Sequence, residues 1–187
     1  MKRFQQLKPT IEQKAYARKF TRKSIELVGC NKEESDREEG IFYGFLGETI
    51  VADIFEQQRP LPKNKKDEGF DLLYNGAKID VKVRTGYAIP KEDYYVSFYA
   101  KQAKKSKADY LLYLLFNPEK EVFYVAGIMS VKGFLNFAKL YKKGDSIKGM
   151  NGQLLFKVKD ESEEQYRVCI KDLAECELFP KEKVLRY

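Results

Sequence analysis

The dipeptide Asn75-Gly76 constrains the fold of this 187-residue chain more than any other feature, because two apolar-rich runs flank it. Asn-Gly between such runs is the strongest short-range signal for a β-hairpin with a two-residue type I′ turn. A turn of this kind fixes the register of the two strands. The predicted pairs are Tyr74 with Ala77, Leu73 with Lys78, Leu72 with Ile79, and Asp71 with Asp80.

This register brings two carboxylates together, because Asp71 and Asp80 would have their Cβ atoms roughly 4.5–5.5 Å apart. Like charges in that position are destabilising unless something compensates, and a divalent cation would do so. Mg²⁺ is typically held by one or two carboxylates together with substrate phosphate. The register therefore predicts a metal site on the hairpin.

Alternation along the second strand adds basic groups to the same face. Side chains on a strand point to opposite faces with a period of two, so Asp80, Lys82 and Arg84 share one face. A lysine beside a metal can position a water or stabilise charge on a phosphate. An ordinary amphipathic hairpin with a solvated polar face would show the same alternation. The other face is apolar and can reach a core; its residues are Leu72, Ile79, Val81 and Val83.

The composition limits the chemistry that such a site could perform. The chain has no histidine, which excludes Ser-His-Asp and Cys-His catalysis and histidine-ligated zinc. Its three cysteines, Cys30, Cys169 and Cys176, show no metal-site spacing and are interpreted as ordinary thiols. The net charge of +7 is compatible with a polyanionic partner but does not require one. Any catalysis would depend on carboxylates, lysine, tyrosine and metal.

The length and hydropathy of the chain predict one globular domain. A chain of 187 residues can bury a sizeable core without disulfides. No apolar run reaches the roughly 18 residues that a membrane span needs. The first nine residues contain no apolar segment that resembles a signal peptide. We therefore expect a cytoplasmic protein that does not enter a membrane.

An acidic residue stands out in the apolar segment from Gly40 to Gln57. This segment is apolar almost all round, which predicts a buried helix. On a helical wheel Glu48 falls among the apolar residues Ile41, Phe45 and Phe55. A carboxylate there is costly unless it is paired or linked to a metal. Glu48 is therefore a candidate site residue, with a buried ion pair or a helix edge as the alternatives.

Basic residues precede and follow the hairpin. The loop of residues 58–68 is rich in proline and lysine and leads into the hairpin, so Lys63, Lys65 and Lys66 could meet phosphates. A short basic helix or turn over residues 100–107 contains Gln102 and Lys104. A basic helix over residues 8–28 could lie along a phosphate backbone, although such a run is more often a solvated face.

The rest of the chain predicts alternating strands and helices. A near-continuous apolar run at residues 108–116 predicts a central strand that is buried on both faces. Ser130 is expected to cap a helix that runs to about Lys143. The other predicted strands are residues 94–99, 121–129, 154–158 and 166–170, the last two as a late hairpin.

The order and spacing of Glu48, Asp71 and Asp80-Val81-Lys82 resemble the PD-(D/E)xK nuclease superfamily, which includes restriction endonucleases, Holliday junction resolvases and DNA-repair nucleases. The resemblance covers roughly residues 40 to 116, and Phe70 replaces the proline of the family motif. It implies an α/β restriction endonuclease-like core, with a mixed central β-sheet flanked by helices and with extra C-terminal strands. A single nuclease domain of residues 1–187 would then comprise a basic helical segment (1–39), a catalytic core (40–116) and family-specific additions (117–187).

The resemblance implies a Mg²⁺-dependent endodeoxyribonuclease, in which Mn²⁺ would substitute for Mg²⁺. Asp71, Asp80 and the backbone carbonyl of Val81 would hold the metal. Lys82 would orient the attacking water or stabilise the transition state, and Glu48 would touch the metal or its water. Some members carry a supporting glutamine where this chain has Gln102. The residues expected to contact DNA are Lys63, Lys65, Lys66, Arg84, Gln102 and Lys104.

Several alternatives stay open at this point. The family analogy suggests a homodimer, because cutting two strands usually takes two sites. The substrate could be duplex, branched or single-stranded. A non-catalytic nucleic-acid-binding protein on the same scaffold is the main alternative function. A structural or interaction protein, whose Asp71 and Asp80 bind Ca²⁺ or nothing, is the other.

Overall fold

The computed structural model describes residues 4–28, 35–61, 69–148 and 152–174 of the chain. Its helices are α1 (Ile11–Val28), α2 (Ser35–Ile54), α3 (Ala100–Ala103) and α4 (Val131–Phe137). Its strands are β1 (Gln5–Leu7), β2 (Leu72–Tyr74), β3 (Ala77–Thr85), β4 (Tyr95–Tyr99), β5 (Tyr110–Asn117), β6 (Val122–Ser130), β7 (Lys139–Tyr141), β8 (Ser146–Lys148), β9 (Leu154–Lys157) and β10 (Gln165–Cys169). Short 3-10 turns lie at Glu161–Glu163 and Ile170–Asp172.

Within these ranges a five-stranded mixed sheet has the order β1-β6-β5-β3-β2. Strand β3 runs parallel to β5, whereas the other neighbours are antiparallel. Strand β5 is apolar along nearly its whole length because both of its faces are covered. The sheet takes strands from the N-terminal segment, from residues 72–117 and from residues 122–130. The prediction of an α/β chain with a mixed sheet flanked by helices is confirmed.

The hairpin at the centre of the prediction forms with the expected register at three of its four pairs. Strand β2 pairs with β3 through Leu72 and Ile79, Leu73 and Lys78, and Tyr74 and Ala77. Asn75 and Gly76 have φ angles of 48° and 82°, as a type I′ turn requires.

One face of the central sheet packs against α2, which in turn packs against α1. Ile79 and Val81 of β3 and Leu114 of β5 form a core with Leu46 and Ile50 of α2. The helix lies close to β3 at Gly47, where an added Cβ would overlap Cγ2 of Val83. This close contact fixes the distance of the adjacent Glu48 from the hairpin.

The opposite face of the central sheet is covered by a second sheet of order β4-β10-β7. Val96 and Phe98 of β4, with Phe134 of α4, form a core against Leu111 and Tyr113 of β5. The face of β3 that carries the predicted site therefore lies toward this second layer. Asp80 is only 8% exposed, which is incompatible with a solvated polar face.

Two helices begin with side-chain caps. The hydroxyl of Thr10 accepts a hydrogen bond from the N–H of Gln13, and the Gln13 side-chain oxygen accepts one from the N–H of Thr10. The hydroxyl of Ser130 accepts a hydrogen bond from the N–H of Gly133, as predicted for its cap. No described helix is long and apolar enough to cross a membrane.

Two predictions about the C-terminal half are wrong. The helix after Ser130 ends at Phe137 rather than near Lys143, because the following residues form β7 and pair with β10. The strands near 154–158 and 166–170 exist, but they do not pair with each other. Strand β9 pairs with β8, and β10 pairs with β4 and β7, so long-range packing overrides the proximity that suggested a hairpin.

Candidate active site

One cavity of about 570 Å³ brings the predicted catalytic residues together. It lies where the side of α2, the hairpin and the short helix α3 meet. The predicted residues in its wall are Glu48, Asp71, Asp80, Val81, Lys82 and Gln102. They are far apart in sequence and reach one wall because α2 packs against β3, and α3, which follows β4, brings Gln102 to the same cavity.

Asp71 lies just before β2 and does not pair with Asp80 in the ladder. Its N–H donates a hydrogen bond to the carbonyl of Ile79 at 2.9 Å. Its carboxylate Oδ2 accepts a hydrogen bond from the N–H of Val81 at 2.8 Å. Strand β2 begins only at Leu72, so the carboxylate of Asp71 takes the place of a strand carbonyl as the acceptor for this N–H. The predicted direct pairing is therefore corrected, although both acids still lie in the same wall.

Asp80 is the acid with the largest electrostatic perturbation in the described site. Burial raises the pKa of Asp80 to about 7; the ammonium of Lys82 opposes this rise, and the charge of Asp71 adds to it. The Asp71 effect means that the two carboxylates interact closely. A proton and a divalent cation would therefore compete for Asp80 near neutral pH.

Lys82 contacts Asp80 directly, with Nζ 2.8 Å from Oδ2. The same ammonium lies 5.3 Å from the centroid of the Phe98 ring on β4. A cation over an aromatic face is attracted by the ring quadrupole. The ion pair and the ring together fix the lysine at the cavity wall.

Two aromatic residues behind the site were not predicted. Phe98 faces Lys82, and Tyr113 is the β5 residue in register with Lys82. The hydroxyl of Tyr113 donates to the carbonyl of Ser97 at 3.3 Å. Burial, together with the charge of Asp80, raises the pKa of Tyr113 well above its usual range. The alternation of side chains along a strand predicts which residues share a face of that strand. It does not predict which faces of different strands pack against each other.

Oxygen donors in this wall fit a hard cation. The carboxylates of Asp71 and Asp80 are the ligand type that Mg²⁺ takes, and a cation would relieve their mutual repulsion. Glu48 is half-buried in α2 and reaches the same cavity. In the described part of the chain, however, no three acidic, cysteine or histidine side chains form a group that could hold a metal ion by themselves. A bound cation would therefore need additional oxygens, such as backbone or phosphate oxygens.

The predicted nucleic-acid contacts are distributed unevenly around the site. Gln102 is exposed in the wall of the cavity of about 570 Å³ and of a second cavity of about 360 Å³. Arg84 is exposed and lines the second cavity but not the first. Lys104 is exposed and is not part of the wall of either cavity.

Three of the predicted contacts, Lys63, Lys65 and Lys66, lie outside the described residues, as do Cys30 and Cys176. Lys101 and Lys105 line the cavity of about 570 Å³ and were not predicted as site residues. The basic character of residues 100–107 was visible in the sequence, but it did not single out these two lysines as site residues. They place two further positive charges beside the acids.

A third cavity of about 480 Å³ shares wall residues with the second. Arg84 and Arg167 line both of these cavities. Arg167 lies on β10 and was not predicted, because nothing in its local sequence marks it. Only the pairing of β10 with β4 brings it near Arg84.

The chain matches no known protein-family model and no curated protein sequence. Any functional assignment therefore depends on the geometry and the electrostatics of the site.

Proposed function

We propose that this protein is a Mg²⁺-dependent nuclease that hydrolyses phosphodiester bonds in DNA, with the fold and site of a PD-(D/E)xK enzyme. The observation that carries the proposal is the state of Asp80. This aspartate is 8% exposed, has a pKa of about 7, and contacts Lys82 in a cavity that Asp71 and Glu48 also line. A buried acid with a perturbed pKa, beside a second acid and a lysine in a cavity, is typical of a catalytic site.

Asp71 and Asp80 are the residues that would hold the metal, together with the carbonyl of Val81. A bound divalent cation would supply Lewis acidity to the phosphate and would lower the pKa of a bound water. Asp80 must be ionised to serve as a ligand, so binding of the cation would displace its proton. The hydrogen bond from Val81 N–H fixes one oxygen of Asp71 and so orients the carboxylate.

Lys82 and Glu48 would act on the water and on the phosphate. The ammonium of Lys82 is held at the cavity wall by Asp80 and Phe98, where it can donate to a phosphate oxygen or to the attacking water. Glu48 offers a carboxylate from the helix side and would accept a hydrogen bond from that water. Lys101, Lys105 and the predicted contact Gln102 would bind the substrate backbone.

The test is cleavage of labelled duplex, single-stranded and four-way-junction DNA in Mg²⁺ or Mn²⁺, beside EDTA. The wild type is compared with Lys82→Ala, and Lys132→Ala serves as a control because Lys132 is exposed on α4 and lines none of the three cavities. Metal-dependent cleavage by the wild type and the control, with binding by Lys82→Ala but cleavage about 10²–10³-fold slower, would support the proposal. The preferred substrate would then identify the subclass.

Other outcomes would contradict the proposal. Equal cleavage by the wild type and by Lys82→Ala would assign the activity to another site or to a contaminant. Binding of DNA in EDTA, without cleavage in any divalent metal, would favour a non-catalytic nucleic-acid-binding protein. No affinity for nucleic acid at low salt would favour an interaction protein.

We also propose that the nuclease acts as a homodimer on duplex DNA, since each strand requires a site. Light scattering with uncleaved duplex in EDTA would measure the mass of the complex. Two protein chains for each duplex would support the proposal, and one chain would oppose it.

A further inference from the structure

Arg167 is a mostly buried arginine that forms no salt bridge with any acid among the described residues. Its side chain lies on β10, and the residue is only 6% exposed. Its guanidinium carbon lies 5.0 Å from the ring centroid of Tyr95 and 5.9 Å from that of Tyr141. No salt bridge joins it to a carboxylate among the described residues. A buried charge is costly unless it is paired, and two tyrosine rings compensate only in part.

A second arginine lies close to the first. Arg84 donates a hydrogen bond from Nη1 to the carbonyl of Tyr95 at 2.8 Å, and Tyr95 also contacts Arg167. Burial lowers the pKa of Arg167, and the charge of Arg84 lowers it further. Two guanidinium groups that repel each other, neither of them in a salt bridge among the described residues, form an environment that an anion would stabilise. Planar guanidinium groups match the oxygens of a phosphate.

The two arginines face cavities that adjoin the candidate active site. Both line the cavity of about 360 Å³, which shares Lys82 and Gln102 with the cavity of about 570 Å³. Lys82 and Arg84 are two residues apart on one strand face, which corresponds to roughly 6.6 Å along the strand. A polyanionic strand bound at Lys82 could therefore continue directly to Arg84.

The far side of the arginine pair is aromatic. The cavity of about 480 Å³ is lined by both arginines, by one acid, Asp93, whose buried Oδ1 has no hydrogen-bond partner in the described structure, and by four tyrosines: Tyr87, Tyr94, Tyr95 and Tyr124. Aromatic side chains next to basic ones are typical of surfaces that bind single-stranded nucleic acid, because bases stack on the rings while the cations hold the backbone. The tyrosines indicate which kind of phosphate compound would fit this position.

We propose that Arg84 and Arg167 together bind one phosphate group of a nucleic-acid strand, and that an adjacent base enters the tyrosine-lined cavity. That this phosphate lies next to the phosphate that is cleaved rests on the proposed function. The existence of the phosphate site does not depend on that function. The sequence predicted Arg84 as a nucleic-acid contact, and this site adds Arg167.

The test is the affinity for a labelled single-stranded oligonucleotide, measured by fluorescence anisotropy in EDTA over a series of salt concentrations. The variants are Arg84→Gln, Arg167→Gln and the double variant. Each single variant is expected to bind about tenfold more weakly, because it loses a charge-assisted contact. The slope of log affinity against log salt should fall by about 0.7 for one lost phosphate on a single strand. The double variant should lose no further slope, because both arginines bind the same phosphate.

Arg59→Gln is the matched control. Arg59 also lies against a tyrosine ring, 5.2 Å from the centroid of Tyr16, but it is paired with Asp53 at 2.6 Å and Glu12 at 2.7 Å. Its loss should lower thermal stability and leave both the affinity and the salt slope unchanged. An Arg167→Gln variant that behaves like this control would overturn the proposal. Arg84 has an exposed side chain, so Arg84→Gln keeps the test valid if the Arg167 variant does not fold.

Oligonucleotides with and without a 5′-phosphate distinguish the two sources of the phosphate. Equal affinities would assign the site to an internal phosphate, and a preference for the phosphorylated oligonucleotide that Arg167→Gln abolishes would assign it to a terminal one. Salt-sensitive binding that depends on the arginines, in a protein that cuts nothing, would overturn the proposed function alone. Metal-dependent cleavage, with a salt slope that neither arginine affects, would overturn this inference alone.

Discussion

The carboxylate of Asp71 accepts a hydrogen bond from the backbone N–H of Val81, with Oδ2 2.8 Å from the nitrogen. This bond joins the residue before β2 to the middle of β3, two positions beyond the last pair of the ladder. Asp71 therefore has a structural role, as the acceptor for a strand N–H, and a proposed role as a metal ligand. Substitutions at this position can separate the two roles.

Asp71→Asn should keep the fold and lose the proposed metal site. The amide oxygen of asparagine can still accept the hydrogen bond from Val81, but the negative charge is gone. We expect near wild-type stability, strongly weakened Mg²⁺ binding, and a lower pKa of Asp80, because the charge of Asp71 contributes to its rise. Denaturant unfolding and calorimetric titration with Mg²⁺ would measure these effects.

Asp71→Ala is the comparison for the asparagine variant. It removes the acceptor as well as the charge, so the buried N–H of Val81 loses its partner at a cost of about 1–3 kcal/mol. If both variants unfold at the same denaturant concentration, the hydrogen bond does not stabilise the fold.

Lys82→Ala should make Asp80 harder to ionise. The ammonium of Lys82 opposes the rise in the pKa of Asp80, so its removal should move that pKa above about 7. The chemical shift of the Asp80 carboxyl carbon, followed by NMR as a function of pH in EDTA, would measure the change. If the protein is the proposed nuclease, its activity should fall about 10²–10³-fold, as for the loss of one electrostatic contact to a transition state. An unchanged titration of Asp80 would show that the ion pair is absent in solution.

The buried state of Asp80 should reduce stability as pH rises. Its pKa is about 7 in the folded protein, against 3.8 as the ordinary value. Between these values the folded state binds more protons than the unfolded state, so the free energy of unfolding decreases with rising pH. The slope from this one group is at most about 1.4 kcal/mol per pH unit, and the loss is complete above pH 7.

Asp80→Asn should remove this contribution, because the amide does not titrate. The measurement is urea unfolding from pH 4 to pH 8 in EDTA for both proteins, compared by slope rather than by absolute stability. Mg²⁺ should stabilise the wild type increasingly up to pH 7, as the proton that competes with the metal is lost. Parallel curves for the two proteins would contradict the assignment of the raised pKa.

Gly47→Ala should disturb the packing of α2 against the sheet. A Cβ at this position would overlap Cγ2 of Val83, which is held on a buried strand and cannot swing away. We expect a loss of about 1–3 kcal/mol, as for overpacking of a core, and reduced activity because Glu48 moves with the helix. Gly40→Ala is the control, since nothing lies within 4 Å of its added Cβ. The control should stabilise the protein by about 0.5–1 kcal/mol through helix propensity.

The sequence was most informative where the structure is local. Asn75-Gly76 indicated the turn, and the period of two assigned Asp80 and Lys82 to one face of β3. The apolar environment of Glu48 marked it as unusual. These inferences depend only on the backbone geometry of a few neighbouring residues, which the side chains of those residues largely determine.

The sequence was less informative where a contact depends on distant partners. Strand β1, of only three residues, forms by pairing with β6, and its own composition does not require a strand. Asp71 was expected to pair with Asp80 in the ladder, but strand β2 begins only after it, at Leu72. Strands β9 and β10 were expected to pair with each other, and each found another partner.

By itself the sequence determined a hairpin with acids and a lysine on one face, because turn type and alternation follow from local chain geometry. Only the tertiary structure decided what that face meets. Burial in the folded chain raises the pKa of Asp80, α2 brings Glu48 to the same cavity, and the pairing of β10 with β4 places Arg167 near Arg84. These effects arise from desolvation and from contacts between residues far apart in the chain, which no local pattern encodes.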